Sequence, residues 1–172
     1  MESNAPEPFE TKAQTLVAAR CSLVVVQTSE ERRLQRHLRS VAQSLFSLPV
    51  PLFVWTLTEG MREGDQPLVG TEDPVVALDE AIAYSQHALF LFHDLHCLFD
   101  DPRVVRRLRD AHRVLAPTYK TIFLSGPLVE LPRELRKDFA TLELPMPNLA
   151  EIEGIFEDVR RSTDYASQEL GD

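Results

Sequence analysis

Four apolar runs set what this chain can fold into: LVVVQT (23–28), PLFVWTLT (51–58), ALFLFHD (88–94) and TIFLSG (121–126). A strand wetted on one face alternates apolar and polar residues. A run without alternation is covered on both faces, which is the position of a central strand in a parallel sheet. FATLELPMP (139–147) adds a short fifth strand closed by prolines. The stretches between the runs are amphipathic. Leu34, Leu38, Val41 and Leu45 form one helical stripe, with Arg32, Arg33, Arg36 and Arg39 on the opposite face. Thr28-Ser29-Glu30-Glu31 ahead of that stripe fits a capping box, with Thr28 as N-cap and Glu31 at N3. Asp73-Pro74 and Asp101-Pro102 each place an aspartate cap before a proline at the first helical position. The second of these opens a helix with Val104, Leu108, Ala111 and Leu115 inward. Shorter helices are predicted over 11–20, in the proline-rich stretch after 126, and from Asn148 to about Arg161. In the last, Leu149, Ile152, Ile155, Phe156 and Val159 face inward. Residues 59–73 read as the longest loop.

Strands alternating with helices predict an α/β fold. The count gives a five-stranded, mostly parallel sheet with helices on both faces and right-handed crossovers. Residues 1–11 read as a disordered lead, 12–161 as the domain and 162–172 as a frayed acidic tail. Receiver-like and P-loop-like sheets both satisfy this count.

Composition narrows the function. With 172 residues and 44% apolar content, one domain has enough material for a core. A net charge of −9 argues against a general nucleic-acid or anionic-membrane role. Lys12, Lys120 and Lys137 are the only lysines, so arginine supplies nearly all the positive charge. Cys21 precedes one strand and Cys97 follows another. Parallel strands of this length would hold them on the order of 20 Å apart, beyond the roughly 7 Å between Cα atoms that a disulfide spans. Two free thiols suit a reducing cytoplasm, and residues 1–10 are acidic rather than signal-like.

Four places invite chemistry. The turn after the first strand carries Thr28, Ser29 and two glutamates, and no glycine. Phosphate cradles are built from exposed backbone amides in glycine-rich turns, and acids at a helix start repel a triphosphate. His93-Asp94-Leu95-His96-Cys97 holds four possible metal ligands, but structural zinc sites draw ligand pairs from separated segments, so neither metal nor cofactor is expected there. The helix after it carries Arg103, Arg106, Arg107, Arg109 and Arg113. With Arg62 in the 59–73 loop, this is the expected interaction surface, and Asp110 is placed to pair with Arg106. Trp55 is expected in the core. No serine, cysteine or histidine nucleophile arrangement is legible, so no catalytic residue is expected.

Motif order now points to a family. PLFVWTLTEGMREG, DPVVALDEAIAY, LFLFHDLHCLFDDPRVVRRLRD and KTIFLSGPLVELPRELRKDFATLELPMPNLAEIEGIF together resemble the N-terminal region of a poorly characterised AAA+ ATPase family of cyanobacteria, other bacteria and red-algal chloroplast genomes. The likeness covers roughly residues 15–161. It implies a degenerate P-loop NTPase/AAA+-like core that lacks the P-loop. By resemblance, Gln27 to Glu31 stand at the Walker A position, His93 and Asp94 at the acidic pair of a Walker B motif, and Ser125 near sensor 1. The family's separate ATPase module would follow about residue 165. The chain is then either an excised piece or a free-standing relative.

The resulting expectation is a non-enzymatic AAA-like domain acting as a protein-interaction, regulatory or assembly module. Its partner would be a AAA+ ATPase or the chain itself, with no nucleic acid and no membrane. The alternative is a small-ligand or nucleotide sensor with an unorthodox site around Asp94, His96 and Thr58.

Overall fold

The computed structural model describes residues 8–147, 149, 151–154, 156, 157, 159 and 160. In chain order the elements are α1 (Phe9–Ala18), β1 (Leu23–Gln27), α2 (Glu31–Ser44), β2 (Leu52–Thr56), β3 (Gly60–Glu63), β4 (Gln66–Leu68), α3 (Pro74–Ala83), β5 (Ala88–His93), α4 (Pro102–Leu115), β6 (Lys120–Gly126) and β7 (Ala140–Thr141). A 3-10 turn spans Leu95–Leu98. Helical backbone continues at 149, 151–154, 156, 157, 159 and 160.

The sheet has seven strands in the order β4-β3-β2-β5-β6-β1-β7, not the five expected. The five predicted strands form its parallel part, pairing β2 with β5, β5 with β6, β6 with β1 and β1 with β7. The two additional strands come from residues 59–73, read from sequence as a loop. They run antiparallel, β3 on β2 and β4 on β3. Short strands with glycine and charged residues carry too little periodicity to announce themselves. β1 lies between β6 and β7, whereas receiver-like sheets place the first strand between the second and third. The topology therefore removes the receiver-like option.

Alternation along each strand builds two cores. Ala88, Phe90 and Phe92 of β5 face α3 and α4, with Phe53, Trp55, Ile122, Leu124, Leu78 and Leu108. Leu89 and Leu91 face the other way, with Val24, Val26, Phe123, Leu34, Leu38 and Val41, beneath α1 and α2. Every residue of β5 and β6 is buried, which is why their sequences show no polar alternation.

Local chemistry corrects several boundaries. α1 begins at Phe9, inside the stretch read as a disordered lead; residues 1–7 lie outside those described. α2 begins at Glu31 with Glu30 at its N-cap and no side-chain cap. Thr28 Oγ1 accepts from the Glu30 N–H at 3.0 Å, closing a tight turn instead of a capping box. The Asp-Pro signals work as expected: Asp73 accepts from Val75 and Val76, and Asp101 from Arg103. Residues after Pro132 make successive turns, not a helix. The fifth predicted strand shrinks to Ala140–Thr141. Leu149, Ile152, Phe156 and Val159 are exposed, not inward; Asn148, Ile155 and residues 161–172 lie outside those described.

Two buried polar groups fix the periphery. Lys120 Nζ donates to the carbonyls of Ala81, Ile82 and Tyr84 at 3.2, 2.7 and 2.6 Å, closing the C-terminal end of α3. Burial pushes its pKa down. Thr71 anchors the antiparallel strands. Its Oγ1 donates to Leu68 O and accepts from Met61 N, while its carbonyl accepts from Trp55 Nε1 at 2.7 Å. Gly60, at φ +67, packs against it where a Cβ would lie 2.8 Å from Thr71 Oγ1. Thr71→Val keeps the shape but orphans Met61 N–H and Leu68 C=O. A loss of about 1–3 kcal/mol per unsatisfied group is expected, read by urea unfolding. An unchanged midpoint would mean that Thr71 does not anchor these strands.

Candidate functional site

Open α/β sheets bind ligands beyond the carboxyl ends of their strands, where neighbouring strands send their connections to opposite faces. Here that point lies between β1 and β6. The chain leaves β1 toward α2 on one face. It leaves β6 toward Val129, Leu131 and Leu135, which pack on the other. Gln27, Thr28, Ser125 and Gly126 edge this crevice, and His93 and Asp94 stand beside it because His93 is in register with Ser125.

Alternation decides what fills it. His93 follows Leu89 and Leu91 on the face toward α2, and Ser125 follows Phe123 on the same face. The His93 side chain is buried at 3% exposure. Its Nδ1 lies 2.7 Å from Ser125 Oγ and its Nε2 lies 2.9 Å from Gln35 Nε2 of α2. The Gln35 amide nitrogen donates to Nε2, so Nε2 accepts and Nδ1–H donates to Ser125. A neutral imidazole thus satisfies both nitrogens. Desolvation pushes the His93 pKa below its ordinary value, partly opposed by the charges of Glu31 and Asp94.

The next residues complete the closure. Asp94 adopts a left-handed conformation at φ 54, which aspartate tolerates better than most residues. Its backbone makes the useful bonds: its N–H donates to Ser125 O at 2.8 Å, and its carbonyl accepts from Cys97 N. This reversal starts the 3-10 turn and swings His96 back over Gly126. A Cβ at Gly126 would lie 2.3 Å from His96 Cε1, so glycine is needed there to admit the ring. On the β1 side, Thr28 N–H donates to Gly126 O at 2.9 Å, and Glu30 pairs with Arg33 at 2.9 Å. This edge is lined by a histidine ring, a hydrogen-bonded tight turn and an acid at the helix start. Among the described residues there is no group of three or more His, Cys, Asp or Glu side chains able to hold a metal ion. Cys21 and Cys97 are both free thiols, and burial raises the Cys21 pKa.

The structure does not bring the other singled-out residues to this edge as one site. Four of the five arginines of α4 are occupied locally: Arg103 with Asp101 at 2.6 Å, Arg106 with Asp110 at 2.6 Å, Arg113 with Asp110 at 3.3 Å, and Arg107 with Asp79 of α3; Arg109 is exposed. Arg62 lies on β3, 3.9 Å from Glu59. Thr58 Oγ1 lies 3.5 Å from Thr56 Oγ1. Gln35 and Gly126 were not singled out in the sequence. Their roles depend on tertiary packing: Gln35 of α2 meets His93 across the helix–sheet interface, and Gly126 meets the ring of His96 from the 3-10 turn.

The fold and the closed edge define an AAA-type α/β domain. The model of the SpoVK-like AAA ATPase N-terminal domain matches residues 9–144, and the chain belongs to that family. Its relatives include the "Uncharacterized AAA domain-containing protein ycf46" of Gracilaria tenuistipitata var. liui, 25% identical over 84% of this chain and 30% of that protein. The protein of the same name from Guillardia theta is 26% identical over 94% of this chain and 32% of that protein. The chain thus spans about a third of the length of these relatives. No helix among the described residues is long and apolar enough to cross a membrane.

Because the His93 pKa is lower folded than unfolded, the unfolded state takes up the proton first. This contribution to stability is complete above about pH 6.5, the unfolded value. It is lost as pH falls toward the folded value, by at most about 1.4 kcal/mol per pH unit. His93→Gln is expected to be less stable at pH 7.5, with the gap to wild type narrowing as pH falls from 7 to 5. Parallel unfolding curves across that range would contradict a buried neutral His93.

Proposed function

We propose that this chain is a non-catalytic AAA-like module that acts by protein contact, regulating or helping to assemble a partner. That partner is a AAA+ ATPase or another copy of the chain, in the cytoplasm, without nucleotide, nucleic acid or membrane. The observation that carries this reading is His96 seated on Gly126 beside the His93–Ser125–Gln35 network. A parallel sheet of nucleotide-binding type is kept, and its ligand edge is filled by the chain's own side chains.

The α4 arginines suit such a role in a particular way. Arg103, Arg106 and Arg113 are exposed; Asp101 pairs with Arg103, and Asp110 is shared by Arg106 and Arg113. They offer a partner directional hydrogen bonds together with a positive charge that the two aspartates leave in excess.

A second reading rests on one atom. His96 Nδ1 is buried without a hydrogen-bond partner, which is a place for a small ligand's donor or acceptor to complete the ring. That reading requires a thermal shift with some nucleotide or metal, abolished by Asp94→Ala without unfolding. Calorimetric titration of the chain with Mg-ATP decides between the two. The protein-contact reading expects no saturable heat, and micromolar affinity would contradict it.

A further inference from the structure

His37 of α2 is wedged between two carboxylates that a neutral ring cannot both serve. Its Nδ1 lies 2.5 Å from Glu10 Oε1 on α1, and its Nε2 lies 3.0 Å from Glu151 Oε1 on the helical stretch that follows 148. The side chain is 13% exposed, so little water screens either contact. A neutral imidazole carries one N–H and presents a lone pair at the other nitrogen. Whichever nitrogen keeps the proton, the other turns its lone pair to a carboxylate. The imidazolium, with an N–H at each nitrogen, suits both neighbours.

The two contacts are unequal. Nδ1 and Glu10 are aligned for a hydrogen bond, whereas Nε2 makes none and meets Glu151 as charge meets charge. Loss of one proton therefore leaves Nδ1–H with Glu10 and sets the Nε2 lone pair against Glu151. Arg33, one turn before His37 on α2, also holds Glu151, with Nε and Nη2 at 3.4 and 3.3 Å from its two oxygens, but it is shared with Glu30. Phe9 of α1 packs on the ring at 5.4 Å between centroids and brings no charge. Lys12 of α1, Arg36 of α2 and Glu143 line the cavity beside it.

We propose that His37 is a pH-sensitive latch for the helical residues after 148. Protonated, it holds them on α2 through Glu151, together with Arg33. Neutral, it leaves Arg33 to hold Glu151 against the repulsion of the lone pair, and the helix leaves α2 more readily. Histidine exchanges this proton between about pH 5 and 8, while carboxylates keep their charge down to about pH 4. The latch is therefore tightest near pH 5 and loosens as pH rises. Apolar packing does not mask the change, because Leu149, Ile152, Phe156 and Val159 are exposed rather than seated on the body. The latched residues follow the family domain, whose match ends at residue 144. The latch thus sets the direction in which the chain leaves that domain, and where its exposed apolar side chains are presented.

Pulsed electron spin resonance on the full chain tests this, with Cys21 and Cys97 replaced by serine and spin labels on Gln43→Cys and Phe156→Cys, both exposed positions. The distance distribution is expected to be narrow at about pH 5.5 and to broaden at about pH 8, the undocked share rising several-fold. His37→Gln and Glu151→Gln should each flatten this pH dependence, with the fold followed by circular dichroism; Glu151→Gln alone decides if His37→Gln fails to fold. A distribution that is the same at both pH values without these changes overturns the latch, as does a pH dependence that survives them. None of these outcomes bears on nucleotide or partner binding, so the latch and the protein-contact reading are tested separately.

Discussion

Coverage of one parallel sheet on both faces is the constraint on which the rest of this structure depends. β5 and β6 have no wetted side, so each residue along them is committed to one core or the other. The alternation that sorts Leu89 and Leu91 from Phe90 and Phe92 continues to the strand end. It delivers His93 to the α2 face in register with Ser125. A histidine at that position meets no water and no acid partner of its own. It is accommodated by Gln35 and Ser125, one at each ring nitrogen. The polar network is therefore a consequence of the sheet's burial, and it stitches β5, β6 and α2 at the edge where such folds bind ligands.

Closure of that edge has a simple steric logic. The left-handed turn at Asp94 sends the chain back toward the sheet, and Gly126 leaves the space that His96 takes. At the β1 side, the Thr28 turn spends its amides on Gly126 and on its own hydroxyl. Histidine at position 93 and the missing glycines after β1 act together. One fills the crevice, and the other leaves no cradle to face it. The fold of an AAA-type domain is kept because both of its cores are intact.

Much of this was legible in the sequence, for a physical reason. Uninterrupted apolar runs and Asp-Pro starts report strong, local preferences, so the five parallel strands and the helices α2, α3 and α4 were readable. The strands of 59–73 were not. Their pairing depends on Thr71 reaching across to Met61, Leu68 and Trp55, a tertiary contact with no periodic trace. The outward stripe of Leu149, Ile152 and Phe156 was misread because apolar periodicity reports a seam without saying which surface fills it. At the ligand edge, the missing glycines and the unusual His93-Asp94 pair were visible. The way they are satisfied was not, since Ser125 gains its role from strand register and Gln35 and Gly126 gain theirs from the packing of α2 and of the 3-10 turn onto the sheet.

The central claim is that the ligand edge is closed by the chain's own hydrogen-bonded side chains. Nitrogen-detected NMR of the His93 ring tests it most directly. The account predicts a neutral imidazole protonated at Nδ1 from pH 6.5 to 8, with resonances unmoved by millimolar Mg-ATP. A protonated or exchanging ring across that range, or a saturable shift of His93 and the amides of 27–31 on adding Mg-ATP, would contradict it.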